Sequence, residues 1–236
     1  MTGATGNWYC GLHEVDEMGF VLHMLREKSL FMDVGANIGS YTVLAAGAVG
    51  ADVIAVEPVP STFSRLSANI GYNNISKRVQ AYCCGLSSEI GELTFMSELD
   101  TMNRVALPNE AGATIKVPVK TLDSLVQDRV PEVIKIDVEG HEAAVLRGAQ
   151  RVLASSALQA VLMETNESGA KFGVRDSQLV ETMKDFGFTA CSYDGLKREL
   201  RPSVKSDTNT IFVRNLEDAQ ARCSAGPRYT LINGTI

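Results

Sequence analysis

The chain has 236 residues, of which 45% are hydrophobic and 21% charged, and its formal net charge is −6. This composition supports a sizeable buried core and excludes an intrinsically disordered chain. Acidic and basic residues are interspersed, so the chain lacks the basic footprint that nucleic-acid binding requires. We therefore expect no nucleic-acid partner.

Cysteine usage and the absence of long apolar runs indicate the compartment. The five cysteines form no CxxC pair and no Cys/His zinc spacing, and their odd number does not suit a disulfide framework. We expect reduced thiols and a cytoplasmic location. The N-terminus has no basic segment followed by an apolar run, and no stretch of eighteen uncharged apolar residues occurs. The sequence therefore predicts neither a signal peptide nor a membrane span.

A first helix is predicted over residues 14–26, where apolar residues recur at helical spacing. Residues 1–26 are interpreted as an N-terminal cover over the functional site, and the small, polar first ten as a mobile segment. His13 and His23 lie beside or on this helix. They are assigned no chemistry, because such histidines usually serve the surface or the packing.

The stretch FMDVGANIGSY, residues 31–41, predicts a buried strand, a glycine-containing turn and a helix. Glycines let such a turn adopt unusual dihedrals, and the helix directs free N–H groups towards a ligand above it. The spacing is D-x-G-x-N-x-G, formed by Asp33, Gly35, Asn37 and Gly39. It differs from the G-x-G-x-x-G of dinucleotide-binding folds.

A second predicted strand, residues 52–56, ends in Glu57, whose carboxylate can accept both hydroxyls of a ribose. Asp33, at the end of the first strand, would repel a pyrophosphate but suits the ammonium group of a methionine. These features favour S-adenosylmethionine (SAM) over a dinucleotide. The predicted cofactor-binding residues of these two strand ends are Asp33, Gly35, Asn37, Gly39 and Glu57.

A third strand, residues 79–83, runs into a turn. In SAM-binding folds of the class I methyltransferase type this turn lies near the adenine, so Leu86 is predicted to contact the ring. Residues 91–120 then predict an inserted hairpin. Pro118 indicates an edge position for its second strand, because proline cannot donate to a ladder. The polar stretch 97–113 is interpreted as a mobile loop, either a lid beside the site or a tolerated surface insertion.

Strand and helix patterns continue to alternate to the end of residue 215. They predict one α/β domain over residues 1–215, a Rossmann-like three-layer sandwich of the class I methyltransferase type. Its sheet is expected to be mostly parallel and seven-stranded, with an antiparallel last strand and the hairpin as an insertion. Residues 216–236 are polar and weakly periodic and are predicted to form a loose tail.

Ligands of open α/β sheets bind outside the carboxyl ends of the strands, and there this chain places carboxylates. We call this set the carboxylate rim: Asp33, Glu57, Asp137, Glu139 and Glu164. Because crowded like charges repel, some of them are expected to meet a cation, such as SAM, a basic substrate or a metal.

A magnesium site is one interpretation of this rim. Asp137, Glu164 and Asn166 all offer the oxygen ligands that a hard divalent cation prefers. They resemble the magnesium site of catechol-type O-methyltransferases, except that one residue separates Glu164 from Asn166. In the alternative interpretation, Asp137 and Glu139 cap the following helix and Glu164 pairs with Lys135 or an arginine.

His141 is the leading candidate for a general base, because an unperturbed imidazole pKa of about 6.5 suits proton removal at neutral pH. Asp137 either orients it or acts as the base itself, and Glu139 completes the candidate catalytic set. Asp137 is also assigned to the cofactor. Lys135 is unusual in so apolar a strand, and it is predicted to pair with a rim acid or to lay its stem along the sheet.

Three segments carry a family resemblance: DVGANIGSYTVLAA, VIAVEPVPSTFSRLSANI and IKIDVEGHEAAVLRGA. Together they resemble the FkbM-type methyltransferases, over roughly residues 11–213. The resemblance implies a SAM-dependent enzyme and, most often in that family, O-methylation of a hydroxyl on a sugar, polyketide or related natural product. The third segment matches the family's second signature through Asp137, Glu139, Gly140 and Glu142.

The acceptor stays open at this point, and so do three other functions. An N-methyltransferase is compatible with an acid-rich rim that holds an amine. An NAD(P)-dependent oxidoreductase is disfavoured by the missing G-x-G-x-x-G. A SAM-binding protein without catalysis is the third alternative. The expected partner is a small hydroxylated acceptor, and the sequence does not predict an oligomeric state.

Overall fold

A computed structural model describes residues 11–96, 104–107, 110–203, 209–232 and 234–236. The strands are β1 Leu30–Val34, β2 Asp52–Val56, β3 Val79–Tyr82, β4 Gly85–Leu86, β5 Gly91–Met96, β6 Thr114–Lys120, β7 Val133–Ile136, β8 Ala160–Glu164, β9 Thr189–Asp194, β10 Glu199–Pro202, β11 Asn209–Val213, β12 Thr230–Leu231 and β13 Gly234–Thr235. The helices are α1 Val15–Met24, α2 Ser40–Val43 with a π-helical continuation Leu44–Val49, α3 Pro60–Tyr72, α4 Leu122–Leu125, α5 Glu142–Arg147, α6 Gln150–Ala154, α7 Asp176–Asp185 and α8 Leu216–Ser224.

The central sheet has the strand order β10-β9-β11-β8-β7-β1-β2-β3. The five strands from β8 to β3 are paired in parallel, and β11, β9 and β10 add three antiparallel pairings at one edge. The predicted α/β class with a mostly parallel sheet is confirmed. The sheet has eight strands instead of seven, because the chain turns back after β9 and adds β10.

Helices cover both faces of this sheet, as a three-layer sandwich requires. Successive residues of β1 alternate between the two layers: Phe31 packs with α1, α2, α3 and α8, whereas Met32 packs with α4, α5, α6 and α7. This alternation follows from the two-residue period of a strand. It also sends Asp33 to the same side as Phe31, towards α2.

The predicted hairpin insertion is present as a separate three-stranded sheet of order β4-β6-β5. The edge position inferred from Pro118 is wrong, because β6 lies between the other two strands. The proline is tolerated there since β4 pairs only with Val119 and Lys120 and does not reach it. Most of the predicted mobile loop 97–113, and the predicted mobile segment 1–10, lie outside the described residues.

Helix α1 is a buried part of one layer, with only the residues just before it near the strand ends. Its side chains from Met18 to Met24 are buried against α2, α8 and β9. The functional contribution of the predicted N-terminal cover therefore falls to His13 and Glu14, which line the cavity described below.

The prediction of a loose C-terminal tail is wrong. Helix α8 begins after Asn215, whose side chain accepts hydrogen bonds from two N–H groups of the first turn. Arg222 donates to the carbonyl of Met24 and to Glu132, both at 2.6 Å. Beyond the helix, Ile236 is 4% exposed and belongs to the main core cluster. The apolar pattern of α8 is sparse, which explains why helical periodicity did not indicate it.

Truncation of Ile236 measures this packing. We expect Ile236→Ala to lower the free energy of unfolding by about 2–5 kcal/mol, as for other buried isoleucines. Ile232→Ala is the matched control; that side chain is 78% exposed, so a change within about 0.5 kcal/mol is expected. Urea denaturation followed by circular dichroism gives both values, and equal values for the two variants would contradict the docked C-terminal segment.

No helix in the described part of the chain is long and apolar enough to cross a membrane.

Candidate active site

The turn after β1 is pressed against the turn after β7. Gly35 and Ala36 donate to the carbonyl of Val56, each at 3.0 Å, which fixes the turn to the end of β2. Gly35 has φ +77°, and a Cβ at that position would lie 1.8 Å from the carbonyl oxygen of Asp137. Only glycine fits here, both for its positive φ and for the close approach of a backbone oxygen.

Glu57 is held by the backbone at the end of β2. Its two carboxylate oxygens accept hydrogen bonds from the N–H groups of Asn37 and Val59, both at 3.0 Å. Each oxygen keeps a further acceptor position, so the carboxylate is able to accept two ligand hydroxyls. Burial raises the pKa of Glu57 to about 7, despite these two hydrogen bonds.

This raised pKa predicts how a ribose-containing ligand would bind as the pH changes. The ionised form of Glu57 accepts the hydroxyls, so protonation competes with binding. The affinity for S-adenosylhomocysteine should be fully present at about pH 8 and above, and should fall about tenfold per pH unit below 7. Calorimetric titrations over about three pH units, from about 5.5 to 8.5, measure this pH dependence of the affinity. Glu57→Gln should bind weakly and lack this pH dependence.

Two buried groups of opposite charge lie beside each other below the turn. Asp33 is 1% exposed and accepts a hydrogen bond from the hydroxyl of Thr42 at 2.6 Å. The register of β1 and β7 places Lys135 opposite Asp33. Burial raises the pKa of Asp33, and the ammonium of Lys135 opposes that shift. The acid expected to hold a methionine ammonium is thus already balanced by a cation of the protein.

Lys135 also pairs with Asp137, which confirms that it meets a rim acid. Its Nζ donates to Oδ2 of Asp137 at 2.6 Å and lies 4.8 Å from the ring centroid of Tyr41. Burial by itself would lower the pKa of Lys135, but Asp137 and Asp33 raise it overall. The lysine therefore remains an ammonium ion and offsets part of the charge of the rim.

Tyr41 and Glu14 are site residues that the sequence did not indicate. The hydroxyl of Tyr41 donates a short hydrogen bond to Oε2 of Glu14. Burial and the neighbouring carboxylate of Glu14 raise the pKa of Tyr41 well above its ordinary value. In the sequence Tyr41 is only the last residue of the stretch FMDVGANIGSY, and nothing there indicated this bond. The bond ties the start of α1 to the cavity.

The turn after β7 is shaped by Glu142. Oε1 of this buried side chain accepts from the N–H groups of Val138 and Gly140, at 3.2 and 3.1 Å. Glu139, between them, has the left-handed φ of +54°. Burial raises the pKa of Glu142 to about 7. Glu142 therefore fixes the turn before α5. The capping that the alternative interpretation assigned to Asp137 and Glu139 is not seen among the described hydrogen bonds, because the N-cap of α5 is His141 and it has no side-chain cap hydrogen bond.

Three rim carboxylates form a group that we call the acidic trio: Asp137, Glu139 and Glu164, each offering an oxygen within 4.8 Å of the others. Oε2 of Glu164 is buried without a hydrogen-bond partner among the described residues. Burial, followed by the charges of Asp137 and Glu139, raises the pKa of Glu164 to about 8. The trio is suited to a divalent cation, a protonated amine or a shared proton.

Asn166 is not part of this group. Its Nδ2 donates to Oε1 of Glu164 at 2.8 Å, and its Oδ1 accepts from the N–H of Ser168 at 2.9 Å. The amide oxygen predicted to bind a metal is therefore occupied within its own loop, and Glu139 stands in its place beside Asp137.

His141 forms its described hydrogen bond with Ser87 and not with the acidic trio. Its Nε2 is 3.2 Å from Oγ of Ser87, and no described hydrogen bond joins it to Asp137. Burial, with a smaller effect of Arg147, lowers the pKa of His141 to about 4. The imidazole is therefore neutral at pH 7, and it is a weaker base than the sequence suggested.

One cavity of about 290 Å³ collects nearly all these groups. Its size is at the lower end of the range for small-molecule sites, about 300–1,000 Å³. Of the predicted residues it is lined by Asp33, Gly35, Asn37, Glu57, Leu86, Asp137, Glu139, His141 and Glu164. Gly39 and Asn166 are not in the lining. A Cβ at Gly39 would lie 2.5 Å from Leu66, so this glycine allows α2 to pack on α3.

The residues present fit SAM. A glycine turn leaves backbone room above β1, Glu57 has two acceptor positions left for the ribose, and Leu86 offers apolar surface beyond it. The fold and this site together define the class I SAM-dependent methyltransferase architecture. A proposed rRNA methylase from Clostridium thermocellum shares the fold, with a TM-score of 0.50 over 84% of this chain and 94% of that one, at 10% identity.

Residues 33–190 match the methyltransferase FkbM domain, so the chain belongs to the FkbM methyltransferase family, and the predicted family is confirmed. The hexuronic acid methyltransferase AglP of Haloferax volcanii is 33% identical over 147 residues. That match covers 60% of this chain and 59% of AglP, about three fifths of its length. The methyltransferase sdnD of Sordaria araneosa is 28% identical over 70% of this chain and 75% of its own.

Proposed function

We propose that this protein transfers the methyl group of SAM to a hydroxyl oxygen of a small polar acceptor, such as a sugar, a polyketide or a related natural product. One observation carries the proposal. The residues suited to SAM and the acidic trio line the same cavity, so a cofactor and an acceptor would meet there. The family membership and the fold support SAM as the cofactor.

SAM, when bound, supplies a methyl group activated by its sulfonium. The protein's own contribution begins with alignment, which is worth about 7–11 kcal/mol of a reaction barrier. The glycine turn and Glu57 would fix the cofactor relative to β1 and β2. Asp137 is rigidly placed with respect to that turn, because its carbonyl oxygen packs against Gly35. An acceptor bound at Asp137 is therefore held in a defined position relative to the cofactor.

Asp137 is the group we assign to removal of the acceptor proton. Lys135 binds its Oδ2 at 2.6 Å, so the carboxylate is held in one orientation, with Oδ1 left to accept from a hydroxyl. Glu139 is close enough to share that proton through the acidic trio. His141, the other candidate base, forms no described hydrogen bond to the acidic trio.

The acceptor class rests on chemistry and on relatives. The acidic trio offers hydrogen-bond acceptors for the several hydroxyls of a sugar-like molecule. AglP, a relative, is named for action on a hexuronic acid, which supports a sugar-type acceptor. An amine held by the same trio would lead to N-methylation, and the product distinguishes the two reactions.

The test combines binding and turnover. Calorimetry with SAM and S-adenosylhomocysteine should give micromolar dissociation constants, which correspond to binding free energies on the order of −8 kcal/mol. Incubation of labelled SAM with a neutral hexose, a hexuronic acid, an amino sugar and a hydroxylated polyketide should give an O-methyl product by NMR. Binding of NADH without SAM would overturn the proposal, and an N-methyl product would replace its chemical step. Cofactor binding without turnover of any acceptor would favour a SAM-binding protein without catalysis.

Magnesium dependence is a separate prediction about the acidic trio. If the trio holds a divalent cation, Glu164→Gln should weaken Mg²⁺ binding by about tenfold or more, because it removes one charged ligand. Asn166→Ser is the comparison and should weaken Mg²⁺ binding less, because its Oδ1 is already occupied by Ser168 and it reaches the trio only through its hydrogen bond to Glu164. Titration calorimetry with Mg²⁺ in the presence of S-adenosylhomocysteine measures both. A larger loss in the Asn166 variant would restore the ligand set predicted from the sequence.

A further inference from the structure

We propose that His141, oriented by Ser87, recognises the hydrogen-bonding edge of the adenine ring and so determines the specificity of the cofactor site. This inference rests on the proposed function, because it concerns the same cofactor. It replaces the role of general base that the sequence suggested for His141. The argument depends on the direction in which a nucleoside must lie along the strand ends.

That direction is fixed by the order of the strands. Asp137, the glycine turn and Glu57 follow one another at the ends of β7, β1 and β2, and β3 is the next strand. The N–H of Glu57 donates to the carbonyl of Tyr82 at 3.1 Å, so the ribose acid lies directly beside the end of β3. A ribose bound by Glu57, with its methionine tail towards β1, therefore directs its base towards the segment after β3.

The walls of the cavity at that end are suited to a flat base. Leu86, Phe95 and Val105 line it and are all buried. A Cβ at Gly85 would lie 3.0 Å from the Phe95 ring, which shows how closely β4 approaches this ring within the inserted sheet. Apolar walls of this kind stack on the faces of a purine but do not distinguish one purine from another.

His141 supplies the polar edge that such a slot needs. Its ring lines the same cavity, and Nε2 is within hydrogen-bond distance of Ser87, the residue that follows Leu86. Ser87 is itself fixed, because its N–H donates to Lys120 at 2.9 Å and its carbonyl packs on Gly148, where a Cβ would lie 2.1 Å away. Ser87 thus holds the imidazole at the end of the cavity where we place the adenine.

The neutral imidazole provides one donor and one acceptor. When Nε2–H donates to Ser87 Oγ, Nδ1 carries the lone pair and accepts from the 6-amino group of adenine. A 6-oxo purine presents an oxygen at that place, so it requires the other tautomer of the pair, in which Ser87 donates to Nε2 and Nδ1 carries the hydrogen. A base removing the acceptor's proton would instead be expected to hydrogen-bond with the acidic trio, and His141 does not in the described residues.

The experiment compares S-adenosylhomocysteine with S-inosylhomocysteine, which differ at the 6-position of the purine. Wild-type protein should bind the adenine compound about tenfold more tightly, since the 6-oxo compound requires the tautomer of His141 in which Ser87 is the donor. His141→Asn and Ser87→Ala should both reduce this ratio, the first to about twofold. Ser88→Ala, at the exposed serine next to Ser87 and outside the lining of this cavity, is the control and should retain the wild-type ratio.

Turnover at saturating SAM completes the design. His141→Asn should keep kcat within about threefold of wild type, whereas loss of a general base costs about 10²–10⁴-fold. An unchanged binding ratio, or a hundredfold loss of kcat with normal binding, would overturn the inference and restore the role of base. If wild-type protein binds neither compound, the proposed function itself fails, and the inference with it.

Discussion

Asp137→Asn is expected to reduce methyl transfer by at least about 10²-fold at saturating SAM and acceptor, the usual effect of removing a general base. The substitution keeps the shape of the side chain but replaces the carboxylate that takes the acceptor's proton by a neutral amide, which is not a base. The backbone carbonyl of Asp137, which packs against Gly35, is unchanged. Binding of S-adenosylhomocysteine should therefore stay within about threefold of wild type, and kcat should carry the loss.

A control of the same chemistry separates this effect from a general loss of charge. Asp52 pairs with Arg129 at the start of β2, at the opposite end of the sheet from the carboxylate rim. Asp52→Asn should leave kcat unchanged. Full activity of the Asp137 variant would show that the proton is taken elsewhere, and a parallel loss of cofactor binding would show that the substitution disturbed the turn beside Gly35.

The strand ends were predictable because they follow from local pattern and one topological rule. Short apolar runs identified β1, β2 and β7, and parallel strands carry their ligands at the carboxyl ends. Asp33, Glu57 and Asp137 could therefore be placed on one rim without knowledge of the sheet order. The residues that lie next to these carboxylates could not be predicted in the same way. The proximity of Lys135 to Asp33 depends on β7 pairing with β1, which no local pattern specifies.

Contacts between distant segments account for the other site residues. The bond from Tyr41 to Glu14 joins residues 27 apart in the chain, and the pair of His141 with Ser87 joins residues 54 apart. The chemical properties of these side chains therefore depend on partners that the local sequence does not reveal. Burial makes His141 a neutral, weak base, although its residue type suggested an effective one.

Elements that the sequence analysis missed have weak local signals. β10 has four residues, and it is stabilised by distant segments: it pairs with β9, and the N–H of Leu200 donates to Gln220 of α8. In α8 only Ala219 and Cys223 are buried, too few for a clear helical period. The capping position offered a signal that periodicity did not: Asn215 precedes two acidic residues of the first turn, an arrangement typical of a helix start.

Gly35→Ala is expected to have the largest effect on folding. A methyl group at this position would lie 1.8 Å from the carbonyl oxygen of Asp137, and backbone on both sides would have to move. We expect a loss of more than about 4 kcal/mol in the free energy of unfolding, or no folded protein. In any folded fraction, S-adenosylhomocysteine binding should be lost, because the turn and the end of β7 would be forced apart.

Gly173→Ala distinguishes the clash from the backbone strain. Gly173 has φ +76°, nearly the same as the +77° of Gly35, but a Cβ there would meet nothing within 4 Å. This variant should lose only the cost of a left-handed alanine, about 1–2 kcal/mol. Urea denaturation of both variants gives the difference, which reports the close approach of the two turns. Equal losses would mean that φ alone requires glycine at position 35, and that the turn and Asp137 are not held together as tightly as the proposed alignment of cofactor and acceptor requires.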